Sequence, residues 1–234
     1  MKQVLYGFGV AALLVLIGWQ WQKNSSTKIE NVTVTGPKPA EKVAYVTFDD
    51  GPSEITPGIL DTLKKYDAKA TFFLIGEEIT EEREEIVKRE IEEGHSVGVH
   101  TYCHKKEEMY CNKEYFWNDF EKCKTRIEEV IGKPVSLHRF PWGSNNGYVC
   151  PLVDDLMEEL QKKKITSFDW NVSGEDSVAV GVPMASIYQN VKKDLDKYDN
   201  PIILLHDSNT MKNTAAVLPE ILEMIKEKGI GLIR

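Results

Sequence analysis

The sequence predicts an α/β fold built on a parallel sheet, and three observations carry that prediction. Seven short apolar runs alternate with six amphipathic stretches from Lys42 onward, the pattern of repeated β/α units. Most of the amphipathic stretches open or close on residues that start or stop helices. The residues able to do chemistry fall just after five of the apolar runs: Asp49 and Asp50, His100 and His104, Arg139 to Gly143, Asp169 and Trp170, and His206 and Asp207. In a parallel barrel the carboxyl ends of the strands converge on one face, and that face carries the active site.

Taken in order, the predicted strands are Val43–Phe48, Ala70–Ile75, Ser96–Val99, Ser136–Arg139, Ile165–Phe168, Pro201–Leu205 and Ile230–Ile233. The first predicted helix, Pro57–Tyr66, has Thr56 as its N-cap and a proline at its first position, where a missing N–H is harmless. Glu81–Glu93 is capped by Thr80 and stopped by Gly94, and its acidic start suits the positive end of the helix dipole. Lys113–Ile131 stops at Gly132, with Phe116, Trp117 and Phe120 as core. Pro151–Lys163 and Pro183–Tyr198 follow, and Ala215–Lys228 runs from a Thr214 cap to Gly229.

Ahead of this domain, residues 1–21 read as a membrane signal anchor. Lys2 precedes an uncharged apolar run from Val4 to Trp19, with no small-residue cleavage site after it and with Trp21 and Lys23 suited to a membrane interface. Residues 22–41 read as an extracytoplasmic spacer, rich in Ser, Thr, Asn and Lys, in which Lys28–Val34 has the pattern of a short extra strand. The domain proper is 42–234, placed outside the cytoplasm, and a monomer is expected. A net charge of -8, with acids and bases interspersed, excludes the basic footprint of a nucleic-acid binder. Four cysteines, Cys103, Cys111, Cys123 and Cys150, permit disulfides in an exported chain but match no zinc-ribbon spacing. Cys103 lies between the two histidines and is a soft competitor for any metal there.

Two imidazoles at i and i+4, His100 and His104, can chelate one ion if the segment turns helically. With one carboxylate from the Asp49–Asp50 pair they leave positions open for water and substrate, as catalytic sites do. A bound divalent ion lowers the pKa of its water and polarises a carbonyl, so the remaining needs are a base and an acid. One aspartate of the pair and His206 fill those needs.

Thr47-Phe48-Asp49-Asp50-Gly51, His100-x-x-x-His104, Arg139-Phe140-Pro141-Trp142-Gly143, Asp169-Trp170 and Leu204-Leu205-His206 together resemble the successive motifs of the NodB-type polysaccharide deacetylases, carbohydrate esterase family 4. The resemblance runs in order from about Val43 to Arg234. It implies a distorted, incomplete (β/α) barrel of about seven parallel strands with outer helices. It also implies a hydrolase that removes N-acetyl groups from a polysaccharide, peptidoglycan or a chitin-type glycan. Asp49 would be the base and His206 the acid, with Arg139 orienting Asp49. Asp50, His100 and His104 would hold a divalent metal, usually zinc, with cobalt as a substitute. The Trp142 N–H would meet the oxyanion, and Leu204 and Trp170 would border the acetyl methyl. Thr166 departs from the family, which often carries an acid at that position to tune the histidine; either Asp169 or Asp207 substitutes, or the histidine is less well tuned. Ser173–Asp176 reads as a solvated loop. The competing expectations are an acetylxylan O-deacetylase and a catalytically silent glycan-binding wall protein.

Overall fold

The computed structural model describes residues 42–233. The anchor at 1–21, the spacer at 22–41 and the candidate strand Lys28–Val34 lie outside the described residues. Among the described residues, no helix is long and apolar enough to cross a membrane.

The strands are β1 (Val43–Gly51), β2 (Ala70–Ile75), β3 (Ser96–Thr101), β4 (Leu137–His138), β5 (Thr166–Ser167), β6 (Val172–Ser173), β7 (Ile202–His206) and β8 (Gly231–Leu232). All seven predicted strands are present, and β6 is an eighth. The helices are α1 (Thr56–Lys65), α2 (Glu84–Glu92), α3 (Lys106–Met109), α4 (Lys113–Ile131), α5 (Val153–Lys162), α6 (Met184–Leu195) and α7 (Lys212–Glu227). Every recorded pairing is parallel, in the order β5-β4-β3-β2-β1-β7-β6, with β8 beside β1. β5 and β6 stand at opposite ends of that order. The architecture is therefore an incomplete (β/α) barrel, as expected, with the first strand inside it between β2 and β7.

The central strands are apolar because both faces are covered. Ala44, Val46, Phe48, Phe72, Leu74 and Val99 are buried, as are Ile59, Leu60 and Leu63 of α1 and Val217, Leu218, Ile221 and Leu222 of α7. Phe116 and Phe120 are buried on α4, as predicted, and Trp117 packs partly buried beside them. Gly132 ends α4 in the left-handed conformation that a side chain resists, which is why this boundary falls where the sequence places it.

Two predicted caps are something else. Thr56 lies inside α1, where its hydroxyl accepts from the Ser53 N–H (2.9 Å) and donates to Asp207 Oδ2 (2.6 Å). Thr214 lies inside α7, and its hydroxyl donates to Asp176 Oδ2 at 2.8 Å. Both hydroxyls serve tertiary contacts at the head of the sheet, and Thr80 makes no side-chain cap bond either. All four cysteines are free thiols.

Candidate active site

The two acids of β1 are separated by a bulge. The β1–β2 register shifts between Asp49 and Gly51, and Asp50 adopts φ 75°, a conformation that Asp tolerates better than most residues. Asp49 turns into the interior and is buried, whereas Asp50 turns toward His100 and His104. The split therefore comes from an extra residue in the strand.

The Asp49 carboxylate accepts from Arg139 Nη1 at 2.8 Å through Oδ1, while Oδ2 lies 3.9 Å from His100 Nε2. Burial raises the Asp49 pKa and the adjacent Arg139 guanidinium partly offsets this. Arg139, fully buried, also donates through Nη1 to the Thr47 hydroxyl (2.7 Å) and through Nε to the Phe168 carbonyl (3.2 Å). Its guanidinium lies over the Phe73 ring at 4.3 Å. The Asp49 carboxylate is thus fixed in angle.

His100 is the penultimate residue of β3 and His104 lies in the turn beyond, with φ 52°. The segment does not turn helically, so the i, i+4 pair meets through a turn after a strand. The Arg139 carbonyl accepts from His100 Nδ1 at 2.9 Å, which leaves the lone pair on Nε2. Burial pushes the His100 pKa down to about 3, so the ring is neutral, the form that ligates metals. Asp50 Oδ1 lies 3.5 Å from His100 Nε2 and 3.4 Å from His104 Nε2.

One ligand atom from each of the three residues fits within 4.8 Å of the others, and Asp50 Oδ1 is buried with no hydrogen-bond partner. An unpartnered carboxylate oxygen beside two imidazole nitrogens fits a divalent cation. Cys103 is not part of this group.

On the other side of β1, the register opposes Asp49 to His206 at the end of β7. Asp176 Oδ1 accepts from His206 Nδ1 at 2.8 Å, and Asp176 Oδ2 accepts from the His206 backbone N–H at 2.8 Å. Burial opposes the charged ring, but the Asp176 bond and charge, with Asp50 and Asp49 beyond, outweigh it and raise His206 to about 9. Nε2, on the far edge, has the exposed Ser177 hydroxyl at 3.3 Å.

The remaining predicted residues frame the cleft. Trp142, half exposed with φ 62°, packs at 4.6 Å against the His104 ring, and Asp169 accepts from the Ser144 N–H and hydroxyl to hold the turn that follows. Trp170 lies 5.7 Å from the Arg139 guanidinium, and a side chain at Gly143 would press on its ring. Leu204, buried, shares a face of β7 with His206.

The sequence model of the polysaccharide deacetylases matches residues 36–158. The chain belongs to the polysaccharide deacetylase family. A peptidoglycan-N-acetylglucosamine deacetylase of Bacillus cereus is 40% identical over 192 residues, 80% of this chain and 67% of that protein. The solved catalytic domain of a peptidoglycan N-acetylglucosamine deacetylase from Eubacterium rectale has a TM-score of 0.77 at 28% identity, over 86% of this chain and 92% of that one. A solved polysaccharide deacetylase from Bacillus cereus has a TM-score of 0.71 at 36% identity, over 82% and 91%.

This chain departs from that family pattern at the partner of His206. Neither Asp169 nor Asp207 substitutes for the acid that this deacetylase lacks at Thr166. Asp169 is spent on Ser144. Asp207 accepts from the Thr56 hydroxyl, and burial pushes its carboxyl up to about 7, so it is a poor standing charge for an imidazolium. Asp176 does the work, and it is buried, not part of a solvated loop. The signal that would have found it is β6: once Val172–Ser173 is a strand beside β7, Asp176 becomes one more polar residue following a strand's carboxyl end.

Proposed function

We propose that this polysaccharide deacetylase is a metal-dependent N-deacetylase that hydrolyses the acetamide of N-acetylglucosamine residues in a glycan, peptidoglycan foremost, and releases acetate. One observation carries the reading: the buried Asp49 carboxylate, a group of Asp50, His100 and His104 able to hold an ion, and the Asp176-held His206 lie together at the carboxyl ends of neighbouring strands. Asp50, His100 and His104 would hold the metal, zinc by the chemistry of the donor set, with cobalt able to replace it. When bound, the metal polarises the acetyl carbonyl and acidifies water.

The chain's own residues supply the rest. Asp49 Oδ2 takes the proton of the attacking water, while Arg139 holds Oδ1 and so fixes the direction of the free oxygen. The Trp142 backbone N–H donates to the oxygen of the acetyl carbonyl as charge builds on it. His206 Nε2 gives its proton to the departing nitrogen, and Asp176 keeps Nδ1 protonated and the ring in register. Leu204 and Trp170 enclose the methyl group. An amine leaves poorly without a proton, and a histidine held protonated near neutral pH suits an amide substrate better than an ester. The names of the relatives support the same substrate, and the complete set of base, ligands and acid argues against a silent binding protein.

The location follows from residues 1–21, an apolar run behind Lys2, read as an anchor that leaves the catalytic domain outside the cytoplasm. Zinc-loaded protein is expected to release acetate from N-acetylglucosamine oligomers or peptidoglycan, to lose this activity to a chelator and to regain it with zinc or cobalt. Acetate release from acetylxylan alone, or from no glycan while glycans still bind, refutes the reading.

A further inference from the structure

The turn between His100 and His104 has left the sheet, so its backbone needs partners that no neighbouring strand supplies. They come from a single carboxylate on α4. Asp119 Oδ1 accepts from the Thr101 hydroxyl at 2.7 Å and from the Tyr102 N–H at 2.8 Å, and Oδ2 accepts from the Cys103 N–H at 3.1 Å. The Thr101 hydroxyl, its proton committed to Asp119, in turn accepts from the His104 N–H at 3.2 Å. From the opposite side the Glu77 N–H donates to the Tyr102 carbonyl at 3.0 Å. Three successive N–H groups, at 102, 103 and 104, are thereby satisfied by one side chain and its relay.

We infer that Asp119 is a positioning residue for the metal site: it holds the 101–104 turn in the shape that brings His104 Nε2 beside Asp50 Oδ1. This inference rests on the proposed metal site and adds a residue that ligates nothing. His104 sits at φ 52°, a conformation an L-residue leaves readily unless its surroundings impose it. Without Asp119 the Thr101 hydroxyl is free to rotate, the N–H groups of 102 and 103 lose their acceptor, and the turn relaxes toward ordinary backbone. His100 is unaffected by that relaxation, because it is still in β3 and tied to the Arg139 carbonyl. The effect therefore falls on one ligand of three.

The test uses the full chain with Asp119→Ala, Asp119→Asn and Thr101→Val, and measures zinc affinity by competition with a chromogenic chelator. Melting of the zinc-free proteins and kcat at saturating zinc are measured alongside. Asp119→Ala is expected to weaken zinc binding by about 10- to 100-fold, the range found when groups supporting a ligand are removed, with most of kcat restored at saturating zinc. Asp119→Asn keeps one accepting oxygen but turns an NH2 toward the Cys103 N–H, so it should fall between wild type and Ala. Thr101→Val removes the hydroxyl that links Asp119 to the His104 N–H, keeps the bonds from the N–H groups of 102 and 103 to Asp119, and should weaken zinc by a smaller factor; it serves if Asp119→Ala does not fold. Zinc affinity within twofold of wild type in folded Asp119→Ala and Thr101→Val overturns the inference while leaving the deacetylase reading intact. A wild-type protein that binds no zinc overturns both.

Discussion

Replacing Asp176 with asparagine tests how the acid histidine is tuned. His206 stands at about 9 against an ordinary 6.5, a difference that favours its charged form by roughly 3 kcal/mol. Burial alone would push the ring the other way, so the whole of the elevation comes from carboxylates, and Asp176 is the one in contact. If the asparagine carbonyl keeps the bonds from the His206 N–H and the Thr214 hydroxyl, its NH2 faces Nδ1 and favours the neutral ring. At pH 8 a group at about 9 is roughly nine-tenths protonated and one at 6.5 is about 3% protonated, so kcat/KM should fall about thirtyfold there. Because the proton donor must be charged, the alkaline limb of the kcat/KM profile should move to lower pH, and NMR titration of the metal-free protein should place His206 at or below 6.5. The fold also loses a contribution that is complete below pH 6.5 and fades as pH rises through about 9, so the variant's deficit in Tm should be largest on the acid side of that window. An alkaline limb that does not move would refute the assignment of Asp176 as the tuning group.

Other substitutions separate the remaining tasks. Asp49→Asn should abolish turnover yet retain zinc by elemental analysis, whereas His100→Ala should lose the zinc; loss of zinc from both would collapse the division between base and ligand. Arg139→Met leaves a buried carboxylate unpaired, so it should lower stability by about 3–5 kcal/mol in urea unfolding and move the acid limb of the rate profile to higher pH, since Asp49 must be ionised to act. Asp169→Ala frees the turn after Trp142 and should cut kcat by about tenfold to a hundredfold with little change in KM, as small misplacements of a transition-state donor do; an unchanged kcat would remove that turn from catalysis.

Much of this arrangement is readable from the chain because it is local. Ala70–Ile75 and Lys113–Ile131 have the predicted limits, the first because an apolar run between polar segments has one way to be buried, the second because Gly132 ends a sustained helical period. The candidate site residues were legible because they lie at or just past the carboxyl ends of strands. What the sequence hides is of two kinds. Backbone detail leaves no compositional mark: nothing in Asp49-Asp50 announces the bulge, and nothing in His100 to His104 says turn instead of helix. Contacts across long separations leave none either. Asp176 meets His206 from the loop after a two-residue strand that lacks an apolar run, and Thr56 and Thr214, residues with good capping chemistry, turn their hydroxyls to Asp207 and Asp176.

Arg139 gives the site a mechanical character. From the end of β4 it reaches Thr47 and Asp49 on β1 and the Phe168 carbonyl just past β5, a terminal strand of two residues with a single neighbour in the sheet order. The guanidinium is thus a tie rod drawn across an unclosed barrel, joining one edge to its interior, and the same group fixes the Asp49 carboxylate. Architecture and reactivity are fused in one side chain. A kinetic defect at Arg139 can therefore never be read as electrostatics alone, and a relative that had lost its chemistry would still have a structural reason to keep the arginine.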